Sequence, residues 1–220
     1  MIPLTYSLKS ISLSIALVLG LILNCGEAKA GPTKSLVVAG GCFWCVEADF
    51  ESVKGVQDVV SGYTGGNVRN PTYKQVSGGG TGHYEAVKIT YDSAVVSERA
   101  LLDLFLRSVD VTDAGGQFCD RGASYRTAIF VSNNAQAQNA SAAIAAAQKE
   151  LGQKIVTPIL KEATFYRAEA GHQNYYKSGK RVITRFGPVT KATAYAKYRK
   201  ACGRDDRVRA LWGNDAPFVK

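Results

Sequence analysis

The chain has 220 residues, 46% of them hydrophobic, and a net charge of +9, which suits one domain with a real core; no stretch reads as an interdomain linker. Much of the charge lies from Lys177 to Arg209, with Tyr195 and Tyr198 interleaved; it reads as a solvated basic helix serving solubility or an acidic partner, and nucleic acid is set aside for an exported protein. Of five cysteines, Cys25 falls in the expected signal, and the remaining Cys42, Cys45, Cys119 and Cys202, in a domain too large to need staples, favour redox chemistry over structural disulfides.

Export is read from the first element. Ile11 to Leu23 is an apolar run preceded by Lys9 and followed by Ala28, Lys29 and Ala30, the pattern of a secretory signal with a small-residue cleavage site. Cleavage after Ala30 removes residues 1–30 and leaves one domain over 31–220, with a C-terminal tail from about residue 188. The loss of Lys9, Glu27 and Lys29 lowers the charge from +9 to +8. The expected location is periplasmic or secreted, with no stable membrane association, since the run is too short to span a bilayer comfortably. Asn24 is a poor small-residue match for lipidation at Cys25.

Ser35 to Phe50, SLVVAGGCFWCVEADF, reads as a strand, a tight turn at Gly40 and Gly41, and a helix with Phe43, Val46, Phe50 and Val53 at helical spacing. Cys42 opens that helix, where unpaired N–H groups and the helix dipole favour a thiolate. Cys45 follows one turn later, and the large rings of Phe43 and Trp44 between the two cysteines suit an apolar ligand beside the sulfur.

Val56 to Tyr63 is the next strand, followed by a glycine-rich loop that carries Tyr73 in Asn70-Pro71-Thr72-Tyr73. A second glycine cluster, Gly78 to Gly82, precedes the strand Tyr84 to Tyr91. On that strand Glu85 shares a face with Val87, Ile89 and Tyr91. Two readings stand: a buried carboxyl with a raised pKa that donates a proton near neutral pH, or a strand-end glutamate reaching solvent or an arginine.

Ser97 caps a helix to about Ser108 whose face is Leu101, Leu102, Leu104, Phe105 and Leu106. The long connection Val109 to Ser124 holds Asp110, Asp113, Cys119, Asp120 and Arg121, and a connection of that length bracketed by strands points to function. Tyr125 begins the strand that follows. Asn133 to Gly152 is an alanine-rich helix, and two strands, near Ile155 to Leu160 and Ala163 to Ala168, come next. His172 reads as a packing or hydrogen-bonding histidine, since no second histidine lies at metal spacing. Tyr175 and Tyr176 sit on a helix, and the basic helical tail carries Cys202 and is docked by Leu211 and Trp212.

Six motifs in order, GCFWC at 41–45, GYTGG at 62–66, NPTY at 70–73, GHYEAV at 82–87, YD at 91–92 and CDRGASYR at 119–126, resemble the A-type peptide methionine sulfoxide reductases. The resemblance implies an α+β fold, a two-layer sandwich with a mixed, largely antiparallel sheet flanked by helices. It also implies Cys42 as nucleophile, Phe43 and Trp44 as the pocket for the S-methyl group, Glu85 as the acid, Tyr73 and Tyr125 as donors to the sulfoxide oxygen, and Asp120 as the residue that holds that network. The activity implied is reduction of methionine S-sulfoxide, free or in proteins, by a monomer with no metal and no organic cofactor. A thioredoxin-like reductant restores the thiols.

The residues agree with that chemistry. A sulfoxide oxygen leaves only once it is protonated, so a thiolate attacking sulfur needs a neutral acid beside the oxygen, and two phenols can carry the developing charge. The resulting sulfenic acid needs a second thiol, for which Cys45, Cys202 and Cys119 are all candidates. Departures from the family pattern fall at Cys45, usually glycine, at Val109-Asp110-Val111, at Cys119-Asp120 and at Ala123-Ser124. Two rivals remain: a general thiol-disulfide oxidoreductase built on the CxxC, and a zinc-stabilised binding module using Cys42, Cys45, Cys119 and Cys202.

Overall fold

The computed structural model describes residues 31–219, so the expected signal over 1–30 lies outside the described residues. The first half of the domain runs β1 (Thr33–Gly40), α1 (Phe43–Phe50), β2 (Val56–Thr64), α2 (Tyr73–Ser77), β3 (Tyr84–Asp92) and α3 (Glu98–Ser108). The long connection then holds two short strands, β4 (Gly116–Gln117) and β5 (Asp120–Arg121), before β6 (Thr127–Val131) and α4 (Asn134–Leu151). The remainder is β7 (Ile159–Lys161), β8 (Tyr166–Arg167), β9 (Arg181–Thr184), β10 (Gly187–Thr190), α5 (Lys191–Ala201) and α6 (Arg204–Trp212).

Six strands form one sheet in the order β7-β6-β1-β3-β2-β8. Every pairing in it is antiparallel except β6 with β7. β1 lies inside the sheet, with Val38 opposite Val87 of β3 and Ile129 of β6. Its sequence is therefore a continuous apolar run, because both of its faces are covered. Leu36 and Val38 join Val87, Ile89 and Ile129 in the main core with residues of α1, α3, α4 and α6. Val37 and Ala39 face the other way, into a smaller cluster with Tyr84, Ala86, Ala128 and Phe130. The result is the expected two-layer α+β sandwich.

Local signals set the helix bounds. The Ser97 side chain accepts the Ala100 N–H at 3.1 Å, and α3 buries Leu101, Leu102, Phe105 and Leu106 behind it. Asn133 caps α4 in the same way, and Gly152, with φ +67°, ends it in the left-handed conformation that glycine adopts without strain. α4 buries Ala140, Ala143 and Ala147. These small residues let the helix axis approach its neighbours closely.

The second half departs from expectation. The two strands expected near 155–160 and 163–168 shrink to Ile159–Lys161 and Tyr166–Arg167, and Tyr175 and Tyr176 lie on a single 3-10 turn, Tyr175–Lys177. The tail is a β-hairpin followed by two helices, and it is not merely solvated. Arg199 and Arg204 are only 6% and 2% exposed, because Asp49 of α1 lies buried beneath them and pairs with Arg199 at 2.7 Å. A buried carboxylate requires such a partner. Trp212 docks the far end, 6% exposed in the main core.

Candidate active site

The strand-to-helix turn places the first cysteine. Gly41 has φ +79°, and a Cβ there would lie 2.5 Å from the side chain of Gln117, so the turn takes glycine on two counts. Cys42 stands at the N-cap of α1 and its carbonyl accepts the Cys45 N–H at 3.0 Å. The Phe43 N–H, the first orphan donor of the helix, is given not to sulfur but to Glu85 Oε2 at 3.2 Å. Contrary to the sequence expectation of a lowered thiol, Cys42 is held as a thiol. Its pKa is raised by donation to the Cys45 sulfur, then by burial and by the nearby charges of Glu85 and Asp120. Cys45 is lowered instead, first by that same contact and then by Arg204 and Arg199, against the opposing effect of burial.

Glu85 lies on β3 opposite Tyr63 of β2 and is 1% exposed. Of its two readings, the buried carboxyl is the one the structure supports. Burial pushes its pKa up to about 8, with Asp120 adding to the rise and the Phe43 N–H opposing it. The carboxyl is thus mostly neutral at pH 7. Its Oε1 is buried with no hydrogen-bond partner, an arrangement that costs on the order of 1–3 kcal/mol unless a ligand takes the contact.

Tyr73 opens the short helix α2, capped by Thr72 and Gln75 in a reciprocal pair, rather than riding a free loop. Its N–H is held by Glu169 Oε1 at 2.8 Å, and Glu169 Oε2 accepts the Tyr63 hydroxyl at 2.9 Å. Tyr125 ends the 3-10 turn Ala123–Tyr125 before β6. Both phenols are raised, first by burial and next by the charge of Glu85, and each bears on the other. They remain donors throughout the physiological range.

Asp120 sits on β5 in the same cleft. Among the described residues its carboxylate forms no hydrogen bond to Tyr73, Tyr125 or Glu85, so it does not anchor the network in the way the resemblance implied. It acts through space, raising Glu85, Tyr125 and Cys42.

An aromatic wall faces these polar groups. Trp44 stacks on Tyr175 at 3.7 Å between ring centroids, and His172 stacks on Tyr73 at 4.2 Å and on Trp44 at 5.7 Å. His172 is a packing histidine, as read. Its membership of this wall, with Tyr175, was not legible, nor was the positioning role of Glu169. All three lie far along the chain from Cys42, and no local pattern marks them.

Cys42, Glu85, Tyr73, Tyr125, Asp120 and both rings of the CFWC segment line one cleft of about 720 Å³. Cys45, Cys119 and Cys202 line it too. Cys119 and Cys202 are joined to each other in a disulfide with Cα atoms 4.9 Å apart, while Cys42 and Cys45 are free. Of the three candidate resolving cysteines, only Cys45 offers a thiol in this state. The pairing also leaves no set of four thiolates for the zinc module.

Comparison with known proteins gives one answer. A family model described as "Peptide methionine sulfoxide reductase" matches residues 34–204. A Caulobacter vibrioides protein named peptide methionine sulfoxide reductase MsrA 2 is 45% identical over 187 residues, 84% of this chain and 89% of its own. A Bacillus subtilis protein named peptide methionine sulfoxide reductase MsrA is 44% identical over 181 residues, 80% of this chain and 93% of its own. Among solved structures, the reduced form of Mxr1 from Saccharomyces cerevisiae superposes with a TM-score of 0.62 at 31% identity, covering 65% of this chain and 83% of its own. Methionine sulfoxide reductase A of Corynebacterium diphtheriae also gives 0.62, at 30% identity over 68% of this chain and 75% of its own.

Proposed function

Because the chain belongs to the peptide methionine sulfoxide reductase family, we propose that its cleft reduces the S epimer of methionine sulfoxide by direct attack of Cys42, with Glu85 as the acid. The observation that carries this reading is Glu85 itself: a buried, neutral carboxyl with one oxygen tied to the helix start and the other unpartnered beside the nucleophile. A general disulfide exchanger could use a buried carboxyl to take a thiol proton, but it has no substrate oxygen for Glu85, Tyr73 and Tyr125 to converge on, and the family match does not favour it.

The chemistry follows from the placement. The S-methyl group packs against Phe43 and Trp44, and the sulfoxide oxygen is set toward Glu85 and the two phenols. Cys45, the more acidic of the pair, takes the Cys42 proton as that sulfur attacks. Glu85 protonates the oxygen, and Tyr73 and Tyr125 donate to it as charge develops. The protonated oxygen passes to the Cys42 sulfur as its bond to the methionine sulfur and the sulfur–sulfur bond made in the attack both break. This releases methionine, reduced by two electrons, and leaves Cys42 as a sulfenic acid, oxidised by two. Cys45 then condenses with it, forming a disulfide and water. An external dithiol of the thioredoxin class restores both thiols by exchange.

Separated epimers of a methionine sulfoxide peptide, turned over with dithiothreitol, test the assignment. Reduction of the S epimer alone, abolished in Cys42→Ser, is the expected result; reduction of neither epimer by folded protein overturns it. Resolution is tested separately. After one equivalent of substrate, peptide mapping is expected to find a Cys42–Cys45 disulfide. In Cys45→Ser the sulfenic acid should persist long enough for a 1,3-dione to trap it on Cys42. A Cys42–Cys202 or Cys42–Cys119 product in the wild type would instead assign resolution to the other pair.

We infer export as well, so that the enzyme repairs proteins in the periplasm or outside the cell. Lys9, the apolar run to Leu23 and the small residues at 28 and 30 support this. Among the described residues no helix is long and apolar enough to cross a membrane. N-terminal sequencing of the exported protein should begin at Gly31.

A further inference from the structure

We propose that the β9–β10 hairpin is a substrate lip that selects oxidised methionines with an acidic residue close by in sequence, an inference that rests on the reductase reading and adds a preference to it. The hairpin reverses at Arg185 and Phe186, with Thr184 opposite Gly187, and it pairs with no other strand. One side is fixed. Val182 and Val189 pack with Cys45, Tyr175 and Tyr195, and Phe186 meets Tyr198 edge-on at 5.1 Å. The other side is open, with Ile183 90% exposed, yet Ile183 and Arg185 line the same cleft as Cys42. A single exposed apolar side chain is ordinary and by itself calls for no partner; what marks this lip is the charge beside it.

Charge at the mouth gives the class of substrate. Arg185 and Lys191 both line the cleft, and neither forms an ion pair among the described residues, whose pairs use other cations. Both are held in place. The Arg185 guanidinium lies 4.9 Å from the Phe186 ring centre and 5.0 Å from that of Tyr198. Lys191 lies 5.1 Å from the Tyr175 ring centre and donates to the Gly171 carbonyl. A stacked guanidinium keeps its in-plane N–H fork available to a carboxylate. A flanking segment that leaves the cleft past this lip carries its side chains by Arg185 and Lys191 when the oxidised side chain lies against Trp44, and three residues of extended chain span about 10 Å.

The test compares kcat/KM for three heptapeptides carrying a central methionine S-sulfoxide with Asp, Ala or Lys at the third position on either side, with N-acetyl-methionine sulfoxide as a flank-free substrate. The expected result is a preference of about fivefold for the Asp peptide over the Lys peptide at low ionic strength, the upper range for one screened ion pair. It should shrink toward unity at about 0.5 M salt and reverse in Arg185→Glu. Equal rates for the three peptides in the wild type overturn the lip. So does a wild-type preference that Arg185→Glu leaves intact. If Arg185→Glu slows only turnover driven by a thioredoxin while the peptide ratio holds with dithiothreitol, the lip serves the reductant and the proposal fails. Absence of turnover of N-acetyl-methionine sulfoxide by the wild type would sink the reductase reading instead.

Discussion

Glu85→Gln is expected to lower kcat/KM by a factor of about 10²–10⁴, the usual range for removing a positioned general acid, while making the protein more stable at neutral pH. The two effects share one cause. In the fold the carboxyl holds its proton up to about 8, whereas in the unfolded chain it loses the proton near 4.5. Below that lower value both states are protonated and the group is neutral to stability. As pH rises toward about 8 the unfolded state gains by ionising and the folded state does not, so stability is lost across that window, by roughly 3 kcal/mol at pH 7. Glutamine keeps an acceptor for the Phe43 N–H and has no proton to lose. Melting temperatures of wild type and variant should coincide near pH 4 and diverge by several degrees at pH 7, the variant higher. Wild-type kcat/KM should fall above about pH 8 as Glu85 ionises. A variant that is less stable at pH 7, or that retains full activity, would refute the assignment.

Arg199→Met is expected to cost about 3–5 kcal/mol of stability, because it strips a buried carboxylate of its main partner. Arg199 donates to Asp49 at 2.7 Å, to Asp205, to the Tyr195 hydroxyl and to the Phe218 carbonyl. Arg204 lies 3.9 Å from Asp49 and is too far to replace it. In denaturant the midpoint should drop, and the Asp49→Asn, Arg199→Met double variant should lose less than the two single losses added together. Arg199 also helps hold down the pKa of Cys45, so the variant should recycle more slowly than it releases its first methionine. Arg199→Lys, which keeps the charge, should recover part of that rate. Additive losses would show that the pair is not coupled.

How much of this was legible depended on how local each cause was. β1, β3, α3 and α4 follow from apolar patterning and from caps at Ser97 and Asn133, all within a few residues of the elements they define. Glu85 was legible as a problem, a carboxyl on an apolar face, but its solution lay in the fold. The Phe43 N–H that holds it is 42 residues away. The tail was misread because arginine is ordinarily a solvent-facing residue, and nothing near Arg199 announces Asp49, 150 positions earlier. The thiolate expected at Cys42 failed for a related reason. Helix-start logic counts the donors correctly, yet the first of them is already committed to Glu85. The bonding of Cys119 to Cys202, 83 residues apart, is likewise invisible to spacing.

The buried arginines carry a consequence for biosynthesis. Arg204 donates to the carbonyl of Gly40, which precedes the turn to Cys42 and lies 164 residues earlier in the chain. Cys42 emerges among the first residues of the domain, but the cations that tune Cys45 are among the last. During synthesis the sheet and its first helices have their apolar partners well before α5 arrives, so a compact intermediate would carry the nucleophile without its finished surroundings. Until α5 and α6 are made, Cys45 lacks the two cations that lower its pKa.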